Sequence, residues 1–366
     1  MKILVLFVEP MLYITDLIHE VYEKTPYEYQ YIFCDKRLTG RDALELPANT
    51  VVCSGTPQQR KGQIKTVFEA FAPDLAVING YVGIEQRAAI GYCRKNSIPY
   101  AIETDTPLHV PESKLKAAAK RLYLRWLLGH ALCYGFPGGT LQKENLVYYG
   151  IPESKCFVMP MCVSAERLLT EHRKLADKEE LKARHGLAGK NVFLFVGRLE
   201  PVKNIPVLLR AFAEVRKNDP NAALLIVGDG SEADNLKKLA ADEDIADVRF
   251  AGYVVFPQLV MYYKMADVFV LPSCYEPWGL VVNEAQILGL PVVVSSHVGC
   301  RKDLIIAGRN GYIFENDNAE GLRDALQCAL RLGSKADQIT DEWNFSKYLD
   351  SFVGAVKTIC KKQTEY

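Results

Sequence analysis

The sequence predicts an α/β protein built from two doubly wound, Rossmann-like domains with a cleft between them. Short apolar runs rich in β-branched residues alternate with longer amphipathic stretches from end to end, the pattern of parallel strands joined by helical crossovers. That alternation runs through twice, separated by the charged stretch SAERLLTEHRKLADKEELKARHGLAGK at 164–190. The length of 366 residues suits two or three domains.

In the first half, strands are expected at 2–8, 29–34, 50–53, 75–79, 99–103, 131–135 and 156–160. Helices are expected near 12–24, 60–71, 83–96, 111–127 and 137–149. The opening MKILVLFVEP reads as a strand and not a signal peptide, because its apolar run is short, an acid follows at once and no small-residue cleavage site is evident. The stretch 164–190 reads as a linker plus one helix. In the second half, strands are expected at 192–196, 223–227, 248–251, 267–271, 291–295 and 312–314, with helices at 204–217, 232–241, 256–265, 279–289, 300–307 and 319–331. A final amphipathic helix covers 343–362. The domains are therefore 1–163, 164–342 and a C-terminal helical segment, 343–366.

Composition narrows the class. A hydrophobic fraction of 49% supports a sizeable core. Lys plus Arg equals Asp plus Glu at 44 each, so no nucleic-acid partner is implied. The ten cysteines include no C-x-x-C pair, and no His or Cys group has zinc-finger spacing. Reduced thiols buried in a cytoplasmic protein are the expectation, with no metal. No window carries the roughly 18 apolar residues that span a bilayer.

Two segments carry the chemistry. Pro272 to Gly299, PSCYEPWGLVVNEAQILGLPVVVSSHVG, reads as strand end, loop, helix and next strand. Glu276 lies in the loop and Glu284 inside the helix, and Gly279 marks the helix start. Free amides and the helix dipole there suit an anion, while the acids suit hydroxyls. Residues 192–205, VFLFVGRLEPVKNI, supply the positive charge. Gly197 ends a buried strand, Asn204 is a candidate N-cap and Pro206 falls in the first helical turn. Arg198 and Lys203 then lie on a strand-to-helix loop, at the sheet edge where open α/β sheets bind ligands. A guanidinium fork and an ammonium point charge suit a diphosphate.

These segments, with FVGRLEPVKN at 195–204, LLIVGDG at 224–230, FAGYV at 250–254, ADVFVLPS at 266–273, EPWGLVVNEA at 276–285 and GLPVVVS at 289–295, resemble the retaining glycosyltransferases of family four, also called glycosyl transferases group one, which have the GT-B fold. The resemblance implies transfer of a hexosyl group from a nucleotide diphosphate sugar, UDP-sugar favoured, to a hydroxyl of a glycan or lipid-linked acceptor in polysaccharide or glycolipid assembly. It places Arg198 and Lys203 on the donor diphosphate and Glu276 on the transferred sugar. It places Glu284 on the ribose, Gly197, Gly279 and Leu280 near phosphate or sugar, and Tyr253 and Val254 around the nucleobase. No metal is required, because two cations and a helix tip can neutralise the leaving group. The terminal helix is expected to cross back onto the N-terminal domain.

The acceptor side departs from the family. A Gly-Gly pair common after the first strand is replaced by Val8-Glu9-Pro10-Met11-Leu12-Tyr13. Backbone approach to a phosphate is harder with side chains present, so this loop, with Met11, is read as shaping the acceptor pocket. Where relatives carry a His after the strand PYAIET, this chain has Glu103, Thr104 and Asp105, with His109 beyond; Asn79 stands at another common His position. Glu103, Asp105 or His109 either touches the sugar or acceptor, or is ordinary loop polarity before the next helix.

Residues 114–130, KLKAAAKRLYLRWLLGH, hold Lys114, Lys116, Lys120, Arg121 and Arg125 and no acid. One reading is peripheral contact with the inner face of an anionic membrane. The other is a half-buried helix in which Leu122, Trp126 and Leu127 are core. Three rival functions remain: a catalytically silent sugar-nucleotide-binding partner, a GT-B sugar-nucleotide epimerase, and a dinucleotide-dependent oxidoreductase using the loose G-x-G-x-x-A match at Gly228 to Ala233.

Overall fold

A computed structural model describes residues 1–34, 46–333 and 342–361. The chain divides into two compact units, Met1–Val163 with Glu342–Tyr366, and Ser164–Asp341.

The first unit contains β1 (Lys2–Phe7), α1 (Leu12–Glu20), β2 (Glu28–Phe33), β3 (Thr50–Val52), α2 (Pro57–Phe71), β4 (Leu75–Asn79), α3 (Ile84–Lys95), β5 (Tyr100–Thr104), α4 (Lys114–Leu128), β6 (Cys133–Pro137) and α5 (Thr140–Tyr148). Its sheet has the order β3-β2-β1-β4-β5-β6, with every pairing parallel. Side chains alternate faces along a strand, and β1 shows the consequence. Ile3, Val5 and Phe7 join one core cluster, with Ile14 and Leu17 of α1. Leu4 and Leu6 join another, with Ile64, Ala89 and Leu124 from α2, α3 and α4. A strand buried on both faces has no polar alternation, which is why KILVLF is continuous.

Capping sharpens several boundaries. Thr56 and Gln59 form a reciprocal capping box at the start of α2. Ser113 accepts from the Lys116 amide at the start of α4. The expected strand at 156–160 is instead an extended segment that makes one bridge, Gly135 to Cys156. Phe157 and Met159 donate to the Gly135 and Pro137 carbonyls at 2.8 and 2.9 Å. Pro137 has no N–H to return, so the ladder stops there.

The second unit contains α6 (Ala165–Lys174), α7 (Lys178–Arg184), β7 (Asn191–Val196), α8 (Ile205–Asn218), β8 (Ala222–Val227), α9 (Ala233–Asp242), β9 (Val248–Gly252), α10 (Leu259–Met265), β10 (Val268–Leu271), α11 (Leu280–Ile287), β11 (Val292–Ser295), α12 (Arg301–Leu304), β12 (Gly311–Phe314) and α13 (Ala319–Leu332). Its all-parallel sheet runs β12-β11-β10-β7-β8-β9. The charged stretch holds two helices where one was expected. Ser164 caps α6, accepting from the Arg167 amide at 3.3 Å, and α7 starts anew after Asp177. Lys182 then fastens α7 to the sheet, its ammonium reaching Asp267 at 2.8 Å and the Lys190 carbonyl at 2.9 Å.

The final helix, α14 (Phe345–Lys361), lies in the first unit. Tyr348, Phe352, Ala355, Val356 and Ile359 enter the same core as β1 and α1. All ten cysteines are free thiols, six of them buried. Among the described residues, no helix is long and apolar enough to cross a membrane.

Candidate functional site

In the second sheet β7 lies beside β10, while the chain continues from β7 toward β8 and from β10 toward β11. The loops leaving β7 and β10 therefore part at the carboxyl edge, a topological switch point of the kind that binds ligands.

The loop after β7 is held by the loop after β8. The Gly197 amide donates to the Val227 carbonyl at 3.0 Å, Leu199 to Asp229 at 2.9 Å and Glu232 back to Leu199 at 2.9 Å. The Ser231 hydroxyl donates to Glu200 at 2.7 Å. A β-carbon on Gly228 would fall 1.8 Å from the Gly197 carbonyl oxygen, and one on Gly230 2.5 Å from that of Leu199. These glycines face protein backbone where a dinucleotide motif needs room for a pyrophosphate, so the oxidoreductase reading fails. Arg198 leaves this braced loop exposed to solvent. A short 3-10 turn, Pro201–Lys203, then aims Lys203 inward. Asn204 occupies the N-cap position of α8 but does not cap it: its backbone is left-handed at φ +54°, and its side-chain amide donates to Asp317 at 2.8 Å.

Lys203 forms an ion pair with Glu276 of the loop after β10, and each side chain is only 14% exposed. Glu276 is fixed by its backbone as well. Its amide donates to His297 at 3.3 Å, and the Gly299 amide donates to its carbonyl at 2.9 Å. Trp278 anchors the loop, 2% exposed, with its indole N–H donating to Asn283 at 2.9 Å. Gly279 follows in the left-handed region at φ +99°, and α11 begins at Leu280. A β-carbon on Gly279 would lie 3.4 Å from Glu276 Cγ, and one on Gly197 3.9 Å from Lys203 Cε. Gly197, Lys203, Glu276 and Gly279 thus form one contiguous patch, with the N-terminal amides of α11 at its edge.

Gly279→Ala is expected to cost about 1–3 kcal/mol from backbone strain, since its β-carbon would also press Leu271 Cδ2 at 3.1 Å. Gly62→Ala is the control, because it sits within α2 with no atom inside 4 Å. That change should stabilise by about 0.5–1 kcal/mol, and thermal unfolding of the two variants checks the opposite signs.

Glu284 lies in the second turn of α11 and is partly buried. The Tyr263 hydroxyl of α10 donates to it at 2.7 Å. Desolvation by the surrounding protein pushes its pKa above the usual carboxylate range, against the pull of Tyr263 and of Arg167. Tyr253, exposed, and Val254, partly buried, follow β9, the edge strand two places from β7. Trp278, Tyr263 and Ser273, which positions its hydroxyl 3.5 Å from Glu276, were not singled out from sequence. Each reads there as an ordinary core residue.

Of the first-unit candidates, Glu103 and Asp105 line one cavity, and His109 and Met11 are not part of its lining. Glu103 is 7% exposed, accepting from Tyr348 of α14 at 2.6 Å and from Asn79 at 3.4 Å. Burial raises its pKa. Glu103 and Asp105 line a cavity of about 50 Å3, far below the 300–1,000 Å3 typical of ligand pockets. His109 exposes its side chain, and its carbonyl accepts from Lys120 at 2.9 Å and Tyr149 at 3.2 Å. Met11 takes the N-cap position of α1 and packs partly buried against the core. On α4, Leu124, Leu127 and Leu128 are buried, whereas Leu122 and Trp126 are 75% and 66% exposed and are not core. Among the described residues, no three His, Cys, Asp or Glu side chains gather as a metal site.

Known proteins resemble this chain in sequence and in fold. Residues 177–342 fit the family described as glycosyl transferases group 1. The chain is 35% identical over 214 residues to an uncharacterized glycosyltransferase of Methanocaldococcus jannaschii, covering 57% of this chain and 51% of that protein. It is 33% identical over 191 residues to D-inositol 3-phosphate glycosyltransferase of Pseudarthrobacter chlorophenolicus, covering 50% and 44%. The chain spans about half the length of the curated relatives it matches. Anabaena HepE, solved in complex with UDP and glucose, superposes with a TM-score of 0.74 at 16% identity, covering 98% of this chain and all of that one. That likeness is one of fold, the GT-B plan of two Rossmann-like units. Residues 177–342 thus resemble the glycosyl transferases group 1 family, on a chain whose two all-parallel sheets have the GT-B fold.

Proposed function

We propose that the chain is a retaining hexosyltransferase that moves a sugar from a nucleotide diphosphate donor, UDP-sugar favoured, to a hydroxyl of a glycan or lipid-linked acceptor. The observation that carries this reading is the Lys203–Glu276 pair beside the Gly279 helix tip, at the β7/β10 switch point. The pair stores a cation for phosphate and an acid for sugar hydroxyls, each neutralised by the other until a donor arrives. On binding, Lys203 turns to the diphosphate and Glu276 is released to the hexose. Arg198 adds a second cation from the same loop.

As the glycosidic bond breaks, charge grows on the departing phosphate. Arg198, Lys203 and the α11 amides meet that charge in place, which is how preorganised dipoles lower a barrier. With two cations and a helix tip, the reaction proceeds without a metal. Glu276 orients the sugar, Glu284 accepts from the ribose hydroxyls, and the backbone at Tyr253 and Val254 borders the base. The UDP bound by Anabaena HepE supports uridine. The basic helix α4 supports work in polysaccharide or glycolipid assembly at the cytoplasmic face of a membrane.

Thermal shift against UDP-glucose and other nucleotide sugars tests the donor reading. A ligand at 100 times its dissociation constant stabilises by about 2.7 kcal/mol. Donor binding should also depend on pH through Glu284. Its raised pKa means that the carboxylate needed for ribose is lost above the ordinary glutamate range as pH falls. Affinity should therefore weaken on acidification, and Glu284→Gln should bind more weakly at neutral pH with a flat profile. A wild-type profile as flat as that of the variant would remove Glu284 from the ribose.

A further inference from the structure

Three loops meet at the carboxyl edge of the second sheet, beside the helix tip at Gly279. The strand order there is β11-β10-β7. The Glu276 loop after β10 therefore stands between the Arg198–Lys203 loop after β7 and the loop after β11. This last loop is tied to the Glu276 loop along its length. Glu276 and Val298 form a parallel bridge, and the Cys300 amide donates to the Trp278 carbonyl at 3.1 Å. A β-carbon on Gly279 would lie 3.4 Å from Val298 Cγ1. The loop ends at α12, whose first residue is Arg301.

Arg301 brings a further cation to this patch. It is partly buried, and its Nη1 donates to the Val298 carbonyl at 3.1 Å. The guanidinium thus folds back onto the residue that is bridged to Glu276. The buried Cys300 thiol gives a second measure of closeness. Burial pushes its pKa up, Glu276 and Asp303 push it further, and Arg301 opposes them. The Glu276 carboxylate and the Arg301 guanidinium therefore both lie within electrostatic reach of one sulfur. Glu276 is already paired with Lys203. Among the described residues no carboxylate pairs with Arg301. A guanidinium carries five N–H donors in a rigid fork, so most of this one is left for a ligand. A partly buried cation without a counter-charge is stabilised by an arriving anion.

The side from which Arg301 enters narrows the choice of anion. Arg198 and Lys203 approach from the β7 side, where the diphosphate is held. Arg301 approaches from the β11 side, across Glu276 from Lys203. Glu276 is the sugar's acid, so an anion reached from that side belongs to the sugar. A neutral hexose offers only hydroxyls, which leave the guanidinium charge uncompensated. A hexose oxidised to an acid offers a carboxylate, which matches the fork in two parallel bonds.

We propose that the transferred sugar is a hexuronic acid, and that Arg301 selects it by a two-pronged bond to the sugar carboxylate. The proposal rests on the glycosyl-transfer reading and names the sugar class of its donor.

Calorimetry on the full chain tests it, with UDP-glucuronic and UDP-galacturonic acids set against UDP-glucose and UDP-galactose. For wild type, at least one acid should bind about tenfold or more tightly than its neutral counterpart, the effect of a hydrogen bond between charged groups. Arg301→Gln should bind acid and neutral donors alike, with the acid weakened by about tenfold. Arg301→Lys keeps the charge without the fork and should fall between the two. Free UDP has no sugar and reports whether the loops of each variant keep their shape. Equal binding of acid and neutral donors by wild type, or a preference that survives in Arg301→Gln, would overturn the assignment and leave the donor reading standing. So would a loss in Arg301→Gln shared equally by UDP and all four sugar nucleotides, which would move Arg301 to the diphosphate or to bracing the loop. If UDP itself fails to bind wild type, the donor reading falls and takes the proposal with it.

Discussion

Lys203→Met will lower turnover of the nucleotide-sugar donor by at least about a hundredfold, the loss typical of removing one group that stabilises transition-state charge. It will weaken UDP binding as well, because the cation that meets the diphosphate is gone. Glu276→Gln should behave differently. The carboxylate competes with phosphate for Lys203 in the unliganded pair, so its removal should leave UDP binding as tight as in wild type or tighter. Turnover should still fall by about a hundredfold, since the hexose loses its orienting acid. Both side chains are largely buried, and a lone charge left in such a place costs stability. The double variant Lys203→Met/Glu276→Gln avoids this and should fold like wild type while inactive. Steady-state kinetics with UDP titrations separates the two roles. Wild-type turnover in either single variant would end the site assignment.

Phe352→Ala should destabilise the first unit by about 3–5 kcal/mol, the usual cost of emptying a buried aromatic site. Phe352 is fully buried, with ring centroids 5.1 Å from Tyr22 and 6.2 Å from Phe136, so truncation opens a cavity between two aromatic rings. Tyr348→Phe should cost about 1.5–3 kcal/mol, because it strips a charged-group hydrogen bond from Glu103. Urea unfolding at neutral pH measures both. Burial of Glu103 sets a pH dependence, against the pull of Tyr348 and Asn79. The folded pKa of Glu103 lies above its unfolded value through burial. Its contribution is therefore fully present below the ordinary glutamate pKa of about 4.3, and it is lost as pH rises through the raised value. Relative to Glu103→Gln, which keeps an acceptor for Tyr348, wild type should lose stability between acid and neutral pH. An identical slope in the two proteins would show that Glu103 is not desolvated as described.

The residues differ in how much of this the sequence disclosed. KILVLF and NVFLFV announce buried strands because apolar runs on both faces of a parallel sheet leave no alternation to misread. Gly279 announces a helix start because only glycine adopts its φ of +99° without strain. The loop glycines Gly228 and Gly230 were ambiguous, since the same residue type serves a phosphate or a neighbouring backbone. The contact with Gly197 and Leu199 resolved them. Asn204 looked like a cap, yet Asp317, 113 residues away, holds its side chain. Leu122 and Trp126 fitted a core stripe by spacing alone, and only the packing of α4 showed which of its two apolar faces is inward.

Local chemistry and periodicity by themselves determined most of the strands and helices and placed Arg198, Lys203, Glu276 and Gly279 on loops or at a helix start. Tertiary structure alone decided that Lys203 pairs with Glu276 across 73 residues of chain, that α14 anchors through Tyr348 to Glu103 across 245, and that α4 keeps an apolar face outside. The division has one physical cause. Backbone conformation is set by neighbours within a few positions, whereas a charge pair, a filled cavity or an uncovered stripe depends on which distant surface arrives to meet it.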